Sequence, residues 1–184
     1  EWERTSAFAD VGVIRHEQNL FLIEAFNRAM QANPANCYIC AANDTIPHSG
    51  LVNGFLSELV RHDVGIVSGG TNDIGAGVLH VGDQPNRWAD TIETNHVDNS
   101  LWGFSHRLVN AIGWPDCEGH THRACWASNQ DFCYRARQAN FKVLAVRRAY
   151  YWHEHMGGMD AVAWQAGRAW LAQKWGAEVE RVWA

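Results

Sequence analysis

Apolar residues along this chain follow two kinds of pattern. The first has helical spacing: Leu20, Ile23, Phe26, Asn27 and Met30 mark a helix over Gln18 to Gln31, closed by Pro34. The second is the unbroken run. Cys37 to Ala42 lacks alternation and predicts a strand buried on both faces. Val64 to Ser68 and Phe141 to Val146 also read as strands, as does the short Val11 to Arg15. Further strands are predicted over Val97 to Phe104 and Val78 to Val81, the latter inside a poorly patterned stretch from Thr71 to Asn95. Helices are predicted from Ser49 to His62, from Ser105 to Ile112 and from Ser128 to Ala139. A last one is capped by Asp160, reaches Trp175 and is stopped by Gly176. Gly113 to Cys125 reads as a loop.

Strands alternating with helices predict an α/β class with a mainly parallel sheet flanked by helices. Open sheets of that kind gather ligands at the carboxyl ends of their strands. The segment "NCYICAANDTIPHSG" ends its apolar run there, in Asn43-Asp44. Two readings of Asp44 follow. It bonds backbone N–H groups in an Asx turn or helix cap, or it holds a hard divalent cation that shares its shell with phosphate oxygens.

Composition narrows the classes. The chain has 184 residues, 47% hydrophobic and 19% charged, which predicts one domain with a packed core. A net charge of −5 argues against a general polyanion binder, so no nucleic-acid partner is expected. Nothing approaches the roughly 20 consecutive apolar residues of a membrane span, so no transmembrane segment is expected. Five cysteines, an odd number, predict reduced thiols and a cytoplasmic setting. The chain opens on Glu1, which predicts a processed form or a piece of a longer polypeptide. Ten tryptophans, several of them near the C-terminus, supply either core packing or flat faces for sugar-like ligands.

Ordered segments carry a resemblance. "AANDTIP" is similar to a strand ending in "LNDDT", with Asn43 in place of the first acid and Asp44 keeping the second. "VIRHEQNLFLIEAFNRAM" resembles "N-L-G-F-A-x-A-x-N-x-G" through Asn19, Leu20, Ala25 and Asn27, with Phe21 in place of glycine. "DVGIVSG" and "VDNSLWGFSHRLVNAIGWPD" follow in order. "NQDFCYRARQANFKVLAV" resembles "E-D-x-D-L-C-x-R-x-R-x-A-G-Y-K-V" through Asp131, Cys133, Arg135, Arg137, Ala139 and Lys142, with Asn140 where glycine is common. "YYWHEH" and "QKWG" complete the series. From about residue 11 to 176 the chain resembles family 2 glycosyltransferases with the GT-A fold.

The resemblance implies transfer of a sugar, with inversion, from a nucleotide-diphosphate donor to a glycan or other hydroxyl acceptor. A divalent cation, manganese or magnesium, would neutralise the leaving diphosphate. It implies Asp44 as the metal carboxylate, Asn43 as its polar neighbour, His153 as the imidazole ligand with His155 as rival, and Asn19 in the donor-binding set. The family's usual acidic pair aligns with Ser128-Asn129, and neither residue can act as a base. Asp131 and Asp116, of the "GWPD" turn, are the remaining catalytic candidates, and Asp131 as a brace within its helix is the alternative. The family's first nucleotide-binding strands have no counterpart before Val11. A non-catalytic nucleotide- or sugar-binding module is therefore the second functional reading.

Other constellations compete. Cys117, His120, His122 and Cys125 fall close together in "CEGHTHRAC", a spacing from which a zinc-stabilised interaction domain follows as a third reading. Cys37 and Cys40 point to opposite faces of a strand and read as buried thiols. Trp102-Gly103 either shapes a donor or acceptor pocket or packs in the core.

Overall fold

A computed structural model describes residues 14, 16–18, 20–72, 91–120, 127–154 and 161–183. The first helix, α1 (Phe21–Ala32), buries Ile23 and Met30, each side chain contributing about 1.5–3 kcal/mol of burial. Then come β1 (Cys37–Ala41), the short β2 (Thr45–Pro47), α2 (Leu51–Leu59) and β3 (Val64–Thr71). After them follow β4 (Thr91–Glu93), β5 (Leu101–Ser105), α3 (His106–Ile112), α4 (Ser128–Gln138), β6 (Lys142–His153) and α5 (Ala161–Trp175). A 3-10 turn at Gly176–Glu178 leads into α6 (Val179–Trp183).

Local chemistry sets several boundaries. Ser105 caps α3, its hydroxyl accepting from the Leu108 N–H, a device worth about 1 kcal/mol. At the end of α4, Asn140 takes a left-handed φ of 62°. Its N–H bonds Arg137 O at 3.0 Å and the Phe141 N–H bonds Ala136 O at 2.9 Å, the hydrogen-bond pattern that terminates helices at such a residue. This is the position where the resembled pattern carries glycine, and asparagine is among the few other residues that enter that region readily. Phe21, which also stands where that pattern has glycine, has φ 58°.

Among the described residues the sheet has six strands, with order β1-β5-β3-β6-β2, and β4 also pairs with β6. It is mixed, which corrects the mainly parallel expectation. Among the described residues only β3/β6 is a parallel pairing; β1/β5, β3/β5, β2/β6 and β4/β6 are antiparallel. Strands β1, β3 and β6 do share a direction. The antiparallel β5 is inserted between β1 and β3, and local pattern carries no information about such an insertion. Helices cover both faces. Ile23, Tyr38, Trp102, Phe104, Leu108 and Phe132 form a cluster on one side. Leu51, Phe55, Leu59, Val67, Leu144 and Tyr151 form one on the other. A third joins Tyr134 of α4 to Trp170, Leu171 and Val182.

Central β3 is buried at every position. Strand β1, expected to be buried on both faces, instead alternates and leaves Ile39 exposed, because it lies at the sheet edge with α2 covering its outer face only in part. The predicted Val78 to Val81 strand lies outside the described residues. So does Val11 to Arg15 except for Ile14, which is exposed and outside any strand.

One irregularity matters for the site. Gly69 pairs with Val146, but Gly70 pairs with Tyr150, so β6 carries residues 147–149 as a bulge. A Cβ at Gly69 would collide with the Ala149 carbonyl oxygen, so the bulge and the bare glycine require each other.

Candidate functional site

The turn that carries Asp44 is fixed at its base. The Ala42 N–H bonds Ser100 O at 2.6 Å, and the Thr45 N–H and hydroxyl both donate to Ala42 O, at 3.2 and 2.7 Å. The chain then crosses the end of the sheet and joins β6 as β2, with Thr45 opposite His153 and Pro47 opposite Tyr151. A proline is tolerated there because β2 is an edge strand. The Glu154 N–H closes the pairing on Asp44 O at 2.9 Å.

This crossing brings Asp44 Oδ2 to 3.3 Å from His153 Nε2, with the side chains 22% and 11% exposed. Both groups are thus reachable from solvent, and Asn43 beside them is exposed. Two ligand atoms bound at right angles about 2.1 Å from one cation would be ~3 Å apart. The pair therefore fits a hard divalent ion whose remaining positions are filled by water or phosphate oxygens. Among the described residues no group of three or more His, Cys, Asp or Glu side chains converges on a common point. A cation here would have two protein ligands, as is usual for ions held jointly with a nucleotide.

Sequence reasoning missed the residues that position this pair. Asn72, just past β3, brackets the His153 backbone: its Nδ2 donates to His153 O at 3.0 Å, and the His153 N–H donates to its Oδ1 at 2.7 Å. Asp98, before β5, accepts from the Ser100 N–H at 2.6 Å. The Ser100 hydroxyl meets the Tyr151 hydroxyl at 2.8 Å. Burial and then the Asp98 carboxylate push the Tyr151 phenol well above its ordinary value, against hydrogen bonds with Ser100, Ser68 and Thr71. A sequence signal did exist, since each of these polar residues adjoins an apolar strand at the same sheet end.

No family model matches this chain, and no curated protein matches it.

Other sequence candidates lie elsewhere. Trp102 is fully buried, its ring 5.0 Å from Phe104 and 5.8 Å from Phe132 by centroid. Gly103 is hemmed in by Tyr38 O, Phe55 and Val67. Both are core positions in a covered strand, which corrects the pocket-wall reading. Asp131 is fully buried and its oxygens are spent: Arg135 Nε at 2.9 Å, Trp175 Nε1 at 2.9 Å and Lys174 Nζ at 3.0 Å. Asp116 takes the same Lys174 ammonium at 2.6 Å and the Glu118 N–H at 2.6 Å. Burial pushes the Asp116 carboxyl up, but these donors outweigh it and hold it below its ordinary value. The two aspartates are therefore braces between the loop after α3, α4 and α5.

Asn19 and His155 lie outside the described residues, as do His122 and Cys125. Cys117 is disulfide-bonded, while Cys37, Cys40 and Cys133 are free. That corrects the all-reduced expectation and the zinc reading, because a disulfide sulfur is not a thiolate ligand. His120 packs against Trp170, with ring centroids 5.2 Å apart. Among the described residues no helix is long and apolar enough to cross a membrane.

Proposed function

We propose that this chain is a metal-dependent, inverting glycosyltransferase with a GT-A-like fold, acting on a nucleotide-diphosphate sugar and a hydroxyl acceptor. One observation carries the reading: the Asp44 carboxylate and the His153 imidazole meet at the end of the sheet where β1, β3 and β6 terminate. The order of motifs from residue 11 to 176 supports it independently of that contact.

In this reading Asp44 and His153 hold manganese or magnesium, and Asn43 presents a polar side chain to the donor. When bound, the cation neutralises charge on the departing diphosphate. Asn72 keeps His153 at its register by gripping its backbone, so the imidazole need not reorganise during transfer.

The test is calorimetric titration with manganese, paired with nucleoside-diphosphate release from a panel of UDP-, GDP- and dTDP-sugars. Manganese binding that falls at least tenfold in both Asp44→Ala and His153→Ala, with manganese-dependent release in the parent, supports the reading. A parent chain that binds no manganese ends it.

A second reading, a non-catalytic donor-binding module, is favoured by the saturated hydrogen bonding of Asp131 and the neutral Ser128-Asn129 pair. It predicts binding of manganese and UDP with no release from any donor in the panel.

A further inference from the structure

A transferase at this site needs a group that takes the acceptor's proton, and Asp131 and Asp116 are spent on Lys174 and its neighbours. Strand order supplies one. The segment from β1 to β2 starts at one sheet edge and ends against β6, with β5 and β3 lying between them. Asp44 and His153 therefore meet at the sheet end from which β5 starts and at which β3 finishes. Asp98 stands at the start of β5, two residues from Ser100, whose carbonyl anchors the Asp44 turn and whose hydroxyl meets Tyr151 on β6.

Asp98 is half-buried. Its Oδ1 is fixed by the Ser100 N–H at 2.6 Å, and its Oδ2 carries no hydrogen bond among the described residues. It is a carboxylate oriented on one oxygen with the other unspent.

We infer that Asp98 is the catalytic base of this site, the inference resting on the transferase reading. Its Oδ2 takes the proton of the acceptor hydroxyl as that oxygen bonds to the anomeric carbon. The bond from that carbon to the diphosphate oxygen breaks, its electron pair leaves with the nucleoside diphosphate, and the proton passes from Asp98 to solvent. Atoms and charge balance without a further reactant.

The experiment is nucleoside-diphosphate release from the same sugar-nucleotide panel in manganese, with water as acceptor, for Asp98→Asn and Asp98→Glu. The asparagine keeps an oxygen for the Ser100 N–H, so folding is retained. The expected result for Asp98→Asn is release at least 100-fold slower, with manganese affinity within threefold of the parent. Asp98→Glu, which restores a carboxylate, is expected to recover at least tenfold over the asparagine variant. Release by Asp98→Asn within threefold of the parent overturns the assignment and leaves the transferase reading standing. So does an Asp98→Glu variant as slow as asparagine with unchanged circular dichroism and manganese affinity. A parent that releases nothing from any donor removes the transferase reading and this inference with it.

Discussion

Asp44 and Asp131 are the same side chain held in opposite ways. Asp131 sits in the first turn of α4, fully buried, with an arginine, a lysine and an indole N–H on its two oxygens. Asp44 sits on a solvent-reachable turn with one imidazole beside it. Removing a donor from the first leaves a buried lone pair unsatisfied. The second retains coordination capacity. The difference teaches that a carboxylate's role follows from what its surroundings leave unsatisfied, since a base or metal ligand needs a free lone pair.

The sharpest way to break this contrast is to delete each carboxylate in turn. Asp131→Ala removes the buried carboxylate shared by Arg135, Lys174 and Trp175 and is expected to cost about 3–5 kcal/mol of unfolding free energy, the scale of breaking a buried ion pair, read from the urea midpoint. Asp44→Ala is expected to change stability by under about 1 kcal/mol, in keeping with a partly exposed pair, while removing manganese binding. Equal stability losses for the two would erase the distinction.

Next in size is the support under His153. Asn72→Ala removes both bonds to the His153 backbone and is expected to weaken manganese binding about 10- to 100-fold, the usual scale for groups that orient a ligand. Unchanged affinity in titration would show that the pair needs no such support.

The braces also make an acid-side prediction. Asp63 is held at about 2 by hydrogen bonds from Lys142 and Arg61, against a smaller effect of burial. In Glu58 and Asp116 burial pushes the carboxyl up, but the donors win and each lies below its ordinary value. Unfolding restores the ordinary values, so at low pH the unfolded chain binds more protons than the folded one. The stabilisation is complete above the ordinary carboxylate range, near 4.5 and 3.8 for these groups, and is lost as pH falls from there toward 2. Urea midpoints measured across that interval should decline steadily with acidity. A flat profile would remove these carboxylates from the list of braces.

The smallest effect concerns the entry to α4. Ala127 is buried with φ 78°, a region that costs a non-glycine residue roughly 1–2 kcal/mol. Ala127→Gly should therefore raise the thermal midpoint, by a few degrees if about 1 kcal/mol is gained. A lower midpoint would mean that the lost methyl packing outweighs the strain.

Much of the secondary structure was legible because each cue is local. Helical spacing located α1 to within three residues at its start, the helix predicted from Ser105 to Ile112 coincides with α3 and its cap, and Gly176 ended α5. The three-residue β4 and the five-residue α6 carried no usable period. The sheet's mixed character was hidden for another reason: β5 looks the same from its sequence whichever way it runs. The site divides along the same line. Asp44 was visible as an acid after an apolar run, and His153 as a histidine in an aromatic strand. Their contact depends on the β2/β6 register, a long-range property of a three-residue strand. Trp102 was left between two readings because an indole suited to stacking on sugar and one suited to a core are the same residue, and only its neighbours separate them.

The bulge at residues 147–149 has a consequence for the way His153 faces. Gly69 and Gly70 are adjacent on β3, yet their partners on β6 are Val146 and Tyr150, so β6 takes up three residues there without a partner on β3. The bulge thereby uncouples the two halves of β6: the alternation that faces Val146 into the core does not dictate which way His153 faces. That orientation is set afresh where pairing resumes at Tyr150 and is held by Thr45 opposite His153.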